Sequence, residues 1–420
     1  MRDEPTASAA SPGGRTVDHL PDPSDFPVPP TPRDLVRWEE ADAAARPARL
    51  LRVRDRLTDD GLDAYFGVRP EHMRYLTGFR LADGEEKVAG HSGKFIVGAD
   101  VVVVLADTRY TVQAGREAPE ARVEPITYDL PARWVELMAS VGARRVGVEA
   151  GHVSHALWTA LQAAAPDVEL VAVDGWVEAD RARKEPAEVE RIRAACSVAD
   201  RALATLLPEI RPGVTEAALA WRLEILMRTG GAEALAFDVA CLAGPEAALP
   251  HGSPGDRPVL EGAVLLFDFG AQMAGYRSDM TRTIFIGEPR PRDLELYGVV
   301  AAAQQAAIDL ITARVADAAA LPTGREADAA ARDVIVAAGH GDHFGHGTGH
   351  GIGLATHELP SLSRQAADVA LPSPTVFSVE PGVYFEGETG VRIEDLVHLD
   401  TERGIAELLT GFPRGILVLG

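Results

Sequence analysis

Residues 343–358 read HFGHGTGHGIGLATHE, with glycine at 345, 347, 349, 351 and 353. This alternation constrains the local fold more than any other stretch of the chain. Glycine costs about 1 kcal/mol per residue inside a helix, which argues against a helical His-x3-His zinc site. As an extended ribbon, one face carries no side chains, and His346 and His350 project from the other. A bare glycine face admits another backbone or a ligand at close range. Two histidines on such a ribbon need partners, and these lie elsewhere in the chain.

The first partners are in VLLFDFGAQMAGYRSDMTRTIFIG, residues 264–287. Two β-rich runs flank QMAG, so the stretch reads as a hairpin with Met273 and Ala274 at its tip. That register sets Asp268 directly opposite Asp279 on one face, where like charges repel unless a cation lies between them. The competing account is a pair of solvated aspartates in an accidental register. In FSVEPGVYFEGETGVRIEDLVHL, residues 377–399, Glu380 and Glu394 repeat the arrangement across a glycine-containing loop. Both sit among apolar residues, and a buried carboxylate has to be neutralised, paired or bound to metal. A structural ion pair between Arg392 and Glu394 is the alternative here.

Two Asp, two Glu and one His form a hard, mostly oxygen ligand set, which suits Mn2+ or another divalent first-row ion better than a thiolate-type zinc. Four carboxylates can hold two ions at about 3.5–4 Å, the spacing of hydrolytic two-metal sites. The chemistry this favours is hydrolysis of an amide-like bond.

Around this constellation the chain organises into two parts. Residues 1–34 are rich in Pro, Ser, Ala and Asp and read as a disordered tail or a strap laid over another surface. They lack the basic start and apolar run of a signal peptide. Residues 35–178 alternate strand candidates such as DAYFGV, VVVVL and RRVGVEA with Ala-rich helices, an α/β pattern. From 179 a long helix begins, with Pro186 in its first turn. The 179–420 half shows a helix–turn–helix–strand order twice, about 110 residues apart, suggesting an internal pseudo-twofold with a site between the copies. The formal charge of −22 argues against nucleic acid or an anionic membrane as partner. No apolar run reaches the length of a membrane span. Cys196 and Cys241 form no CxxC pair and read as idle thiols in a reducing cytosol, so the expected location is cytoplasmic.

The order DFG…SDMTRT, GHGTGHGIGLATHE, SVEPGVY and GVRIEDLV resembles the metallopeptidase family of pita-bread fold. That family includes Xaa-Pro aminopeptidase (aminopeptidase P), Xaa-Pro dipeptidase (prolidase), methionine aminopeptidase and creatinase. The resemblance covers about residues 180–412. YLTGFR and LADTRYTVQA resemble the creatinase-type N-terminal domain, which methionine aminopeptidases lack, so the Xaa-Pro branch is favoured. The fold this implies is an α/β N-terminal domain followed by an α+β pita-bread catalytic domain.

By position, the resemblance implies Asp268, Asp279, His350, Glu380 and Glu394 as ligands of two divalent ions, Mn2+ first, with Co2+ or Zn2+ as alternatives. It makes Glu380 the general base and proton shuttle, and His357 the group that stabilises the tetrahedral intermediate. His346 would help to bind the residue after the cut bond, and His251 is a further active-site histidine. Arg392 orients the metal carboxylates, and His343 is a bystander. The substrate implied is an Xaa-Pro peptide or dipeptide, and a homodimer is the expected assembly. Two other readings stand beside this one: a creatinase-like hydrolase of a small non-peptide amide, and a non-catalytic peptide-binding module. Creatinases work without the metal set, and binding modules show eroded ligand positions; all five ligand types are present here. Arg74 and Arg80 are candidates to close the cleft, with surface solvation as the competing role.

Overall fold

A computed structural model of the protein describes residues 19–81, 92–126, 130–317 and 320–420. The chain forms two compact units, one of residues 33–181 and one of residues 182–420 together with residues up to Pro32.

The 33–181 unit is built on a six-stranded mixed sheet, whose order is Arg122–Pro125, Val102–Ala106, Lys94–Gly98, Ala64–Gly67, Arg145–Glu149, Glu169–Val173. Its central strands are buried along their length, as the run VVVVL requires, because helices cover the sheet. Trp134 packs edge-on against Phe66 at 5.0 Å in this core. Arg80, one of the two arginines considered as cleft closers, is ion-paired to Glu117 (3.2 Å) and Glu39 (3.3 Å) within the same unit.

In the 182–420 unit the helix–helix–strand order occurs twice. Pro186–Leu206 and Glu216–Thr229 form the first helix pair, Pro291–Ala316 and Gly324–Ala337 the second. Each second helix is capped by a threonine, Thr215 accepting from Ala218 N and Thr323 from Glu326 N. Both threonines also make an isolated bridge to a later loop, Thr215 to Pro258 and Thr323 to Ala370. A four-stranded sheet holds Val264–Phe269 and Met280–Ile286; a five-stranded sheet holds Gly349–Gly351, Thr375–Val379 and Asp395–Asp400.

Pro291–Ala316 is, among the described residues, the one helix long and apolar enough to cross a membrane by length and composition. Here its apolar side packs into the core of the unit through Leu296, Val300, Ala303, Ala307 and Ile311. Its buried Gln304 donates to the carbonyls of Val379 (3.1 Å) and Ile393 (3.3 Å) and to Asp395 Oδ2 (2.9 Å). One amide thus fixes the residues immediately before Glu380 and on both sides of Glu394.

Residues 1–18 of the expected tail lie outside the described residues. The segment that follows is a strap within the 182–420 unit. Asp22 caps a single 3-10 turn, Pro23–Asp25, through a capping box. Ser197 Oγ donates to Pro27 O (2.6 Å), Arg201 Nη1 to Pro23 O (2.6 Å), and Phe26 stacks on Phe412 with centroids 6.1 Å apart. Replacing Phe26 by Ala removes a buried ring and is expected to lower stability by about 3 kcal/mol, read as a loss of thermal midpoint. A change inside measurement error would mean that the strap is not held in solution.

Candidate metal centre

The five expected ligands, Asp268, Asp279, His350, Glu380 and Glu394, line one cavity of about 400 Å3 together with His251, His346, His357 and Arg392. The sequence separates these residues by up to 143 positions; two interrupted hairpins bring in the carboxylates and Arg392, and the glycine ribbon with its loop brings in His346, His350 and His357.

In the first hairpin the observed register differs from the expected one. Met273 faces Tyr276 and Phe269 faces Met280, so Asp268 faces Thr281 rather than Asp279. The tip is Ala274–Gly275, with φ of 48° and 83°, a two-residue turn that favours glycine at its second corner. That places the turn one residue later than Met273–Ala274. Asp279 instead falls in the gap between Tyr276–Arg277 and Met280–Ile286, opposite Gly270. A side chain at Gly270 would strike the Ser278 carbonyl, so the close approach depends on glycine.

The second hairpin is broken in the same way. Val379 faces Asp395 below the break and Gly382 faces Arg392 above it, so the unchanged register leaves Glu380 opposite Glu394. At both breaks the backbone turns to the other strands, Glu380 N donating to Thr348 O (2.7 Å) and Glu394 N to Thr281 O (3.1 Å).

The ribbon is extended over Gly349–Gly351. A side chain at Gly349 would meet the Ser378 carbonyl, and one at Gly351 the Leu359 carbonyl, so the bare face is where neighbouring backbones pack. The buried Asp328–Arg332 pair of the Gly324–Ala337 helix pins the approach to the ribbon. Asp328 Oδ1 accepts from Thr348 N (3.0 Å), and Arg332 donates to the carbonyls of Phe344 (3.0 Å) and His346 (2.7 Å). His350 Nδ1–H donates to Gly351 O (3.1 Å), which leaves Nε2 facing the carboxylates, 3.1 Å from Glu380 Oε1 and 3.7 Å from Asp279 Oδ2.

Arg392 is the hub beneath the carboxylates. Its carboxylate partner is Asp268, at 2.5 Å, and not the neighbouring Glu394. It reaches Glu394 through Thr281: Arg392 Nε donates to Thr281 Oγ1 (2.9 Å), which donates to Glu394 Oε2 (2.8 Å). Its third nitrogen donates to Tyr384 Oη (2.9 Å), and Tyr384 O–H donates to His346 Nε2 (2.8 Å), because His346 Nδ1–H is committed to Gly347 O (2.7 Å). Each of the two carboxylates therefore has one oxygen clamped. The other, Asp268 Oδ1 or Glu394 Oε1, is buried without a hydrogen-bond partner. Atoms in that state call for a cation. One ligand atom each from Asp279, His350 and Glu394 already lie within 4.8 Å of one another.

The electrostatics agree with that demand. Burial, with the charge of the neighbouring carboxylates, pushes Asp279 and Glu394 well above the ordinary carboxylate range. Burial works against charge on Glu380 and His350 as well, but their hydrogen bond outweighs it, holding Glu380 at about 2 and raising His350 to about 9. Burial lowers His346 and His357, so both rings are neutral near neutral pH. Without a cation, protons supply the positive charge that this cluster needs. The residues fit a hard divalent ion.

Arg392→Lys keeps a charge but loses the fork that grips Asp268, Thr281 and Tyr384 at once. The expected result is about a tenfold to hundredfold loss of metal affinity by calorimetry. An unchanged affinity would remove Arg392 from this role.

Sequence reasoning missed Tyr384 and Thr281 as members of the network; both stand within motifs, SVEPGVY and SDMTRT, but nothing in their spacing marks their partners. His343 lies outside the cavity lining, with Nδ1 on Tyr384 O (3.0 Å) and its ring stacked on Phe385 at 3.9 Å. His251 lies on an exposed loop at the cavity wall.

Comparison with known proteins gives a consistent picture. An Xaa-Pro dipeptidase of Pyrococcus furiosus is 32% identical over 364 residues, 86% of this chain and 97% of that protein. The solved structure of an Xaa-Pro dipeptidase from Bacillus anthracis superposes with a TM-score of 0.80 at 32% identity, covering 89% of this chain and 99% of that one. An X-Pro aminopeptidase from Thermotoga maritima gives a TM-score of 0.78 at 33% identity, covering 88% and 99%. The creatinase/prolidase N-terminal domain profile matches residues 49–183. The metallopeptidase family M24 profile matches residues 190–401, half of the chain and the whole of the carboxylate cluster, and the protein belongs to that family.

Proposed function

We propose that this protein is a dinuclear-metal Xaa-Pro peptidase, removing the residue that precedes proline at the N-terminus of a peptide or dipeptide. The observation that carries the reading is the pair of clamped carboxylates. Each presents one unpartnered oxygen beside His350 and an ionised Glu380 in a single cavity. The similarity to Xaa-Pro dipeptidases and an X-Pro aminopeptidase supports the substrate class. Mn2+ is the proposed metal, on the hardness of the ligands. A cytoplasmic homodimer is the proposed state, carried over from the sequence.

Asp268, Asp279, His350, Glu380 and Glu394 would hold the ions. Bound there, divalent ions polarise the scissile carbonyl and make water a nucleophile near neutral pH. The protein's own groups do the rest. Ionised Glu380 takes the proton from the attacking water and delivers it to the proline nitrogen as the C–N bond breaks, which lets the secondary amine leave neutral. Neutral His357 offers a hydrogen bond to the oxygen that gains charge. His346, held by the Arg392–Tyr384 chain, stands at the side of the residue after the cut bond. Proline suits the site because its nitrogen has no hydrogen to leave unpaired and its ring fixes the local backbone.

The test is to incubate Mn2+-loaded protein with Ala-Pro, Ala-Pro-Ala-Ala and creatine. Release of alanine from either peptide supports the reading, and cleavage of one but not the other separates dipeptidase from aminopeptidase. Failure on both peptides overturns it, and turnover of creatine alone moves the protein to the small-amide class.

A further inference from the structure

His357 depends on its loop for its position. Among the described residues no hydrogen bond holds its imidazole, which rests against His350 at a centroid distance of 4.2 Å. The loop runs from the glycine ribbon back to Glu358–Leu362, and its register slips at the join. His350 faces Ser361, but Gly351 faces Glu358, so the pairing alone does not fix where the loop ends. One side of the loop is held by the first hairpin, through Arg277 N to Gly353 O (2.9 Å) and Arg277 Nε to Leu354 O (3.3 Å).

The other side is held by an ion pair that the metal chemistry does not use. Lys184 Nζ lies 2.7 Å from Glu358 Oε1, with side chains 0% and 3% exposed. Lys184 is itself fixed through its backbone N–H, which donates to Pro374 O (2.9 Å). The second oxygen of Glu358 faces Ala355 N at 3.4 Å, across the same loop. Glu358 is the residue after His357, so this carboxylate sets the point at which the loop closes. A buried pair of opposite charges is a poor source of stability compared with apolar side chains of similar size, but it fixes geometry strictly, because either charge without the other is costly.

We propose that the buried Lys184–Glu358 pair is the positioning device for His357. Neither residue touches the reacting atoms; the pair acts through the loop, holding the imidazole where charge develops on the substrate oxygen. The inference rests on the proposed peptidase function for its kinetic arm only.

The test uses the full-length protein and the variants Lys184→Met, Glu358→Gln and Lys184→Met/Glu358→Leu. Against Ala-Pro, kcat is expected to fall about tenfold to a hundredfold in each, with KM and Mn2+ affinity little changed. The double variant replaces the pair by apolar side chains and keeps the question answerable if a single variant fails to fold. In a His357→Ala background, Lys184→Met should cost no more than about a further twofold. Equal losses in both backgrounds overturn the proposal, as does parental kcat in the double variant. A readout independent of turnover is the imidazole 15N–1H resonance of His357. It should shift or broaden in the double variant while that of His343 stays in place, and an unmoved His357 signal overturns the proposal. If the parent cleaves neither peptide, the peptidase reading fails, and the resonance still decides the role of the pair.

Discussion

Glu380→Gln is expected to lower kcat by about 10²–10⁴-fold with the fold intact. The amide keeps the size of the side chain, and its oxygen can still accept from Ser378 Oγ, which lies 3.0 Å from Glu380 Oε1. It cannot take a proton from water, and it removes the negative charge that faces His350. Glu380 combines two properties, and the first sets it apart from the other carboxylates of the cavity, all of which are raised. It is held ionised, at about 2, by its hydrogen bond to His350, and it sits at a break in a strand where its side chain enters the cavity. Because it is also an expected metal ligand, kcat has to be measured at saturating Mn2+, with circular dichroism to confirm folding. Activity within about tenfold of the parent would take the proton-transfer role away from Glu380.

Chelation is expected to destabilise the protein, and more at about pH 8.5 than at about pH 5.5. Metal at a thousand times its dissociation constant stabilises a folded site by about 4 kcal/mol, which the chelator removes. The pH dependence comes from what replaces the metal. In the metal-free fold, Asp279 and Glu394 are raised well above their ordinary values of 3.8 and 4.5, and His350 is raised from 6.5 to about 9. Each of these groups binds its proton more tightly folded than unfolded. Their contribution is complete below the unfolded values and is lost as pH rises through the folded ones, which for His350 means between 6.5 and about 9. Glu380 runs the other way, but its window lies between 4.5 and about 2, below both measurements. Thermal unfolding with and without chelator at the two pH values checks this. An equal loss of midpoint at both would mean that the carboxylates do not share their charge in the way the geometry requires.

The sequence made the ligand types legible because burial of an acid leaves a trace in its neighbours. Asp268 follows VLLF, Glu380 follows FSV, and no solvated acid needs such flanks. The glycine ribbon was equally plain, since alternate glycines exclude a helix and leave a face for close packing. The hairpin register was not, because it turned on whether Ala274 could take a positive φ beside Gly275, which is uncommon for any residue but glycine. Shifting the turn by one residue at the tip exchanged Asp279 for Thr281 opposite Asp268. The Arg392–Glu394 ion pair, weighed as the alternative to metal binding, is not the pair that forms. Glu394 shares a face with Arg392 but lies about 7 Å further along the extended chain, with Thr281 bridging the two side chains, and a carboxylate 124 residues away is the one in direct reach. The Lys184–Glu358 pair joins residues 174 positions apart and leaves no periodic mark in the chain.

The two glutamate amides at the hairpin breaks have a consequence for how the centre is lost. Glu380 N–H and Glu394 N–H do not close bonds within their own hairpin; they cross to Thr348 and to Thr281, on segments that come from other parts of the chain. Exchange of these hydrogens with solvent therefore requires packed elements to separate: the Glu380 bond continues the Gly351–Phe377 pairing inside the five-stranded sheet, and the Glu394 bond crosses to Thr281 in the four-stranded one. Fraying of one strand end does not suffice, and protection should approach that of the slowest amides in the unit. A metal centre built on such crossings has no partly assembled form to linger in. It is present or absent with the whole fold, so a distant loss of stability, such as one in the strap around Phe26, shows itself as fewer loaded molecules, each with an unaltered ligand geometry.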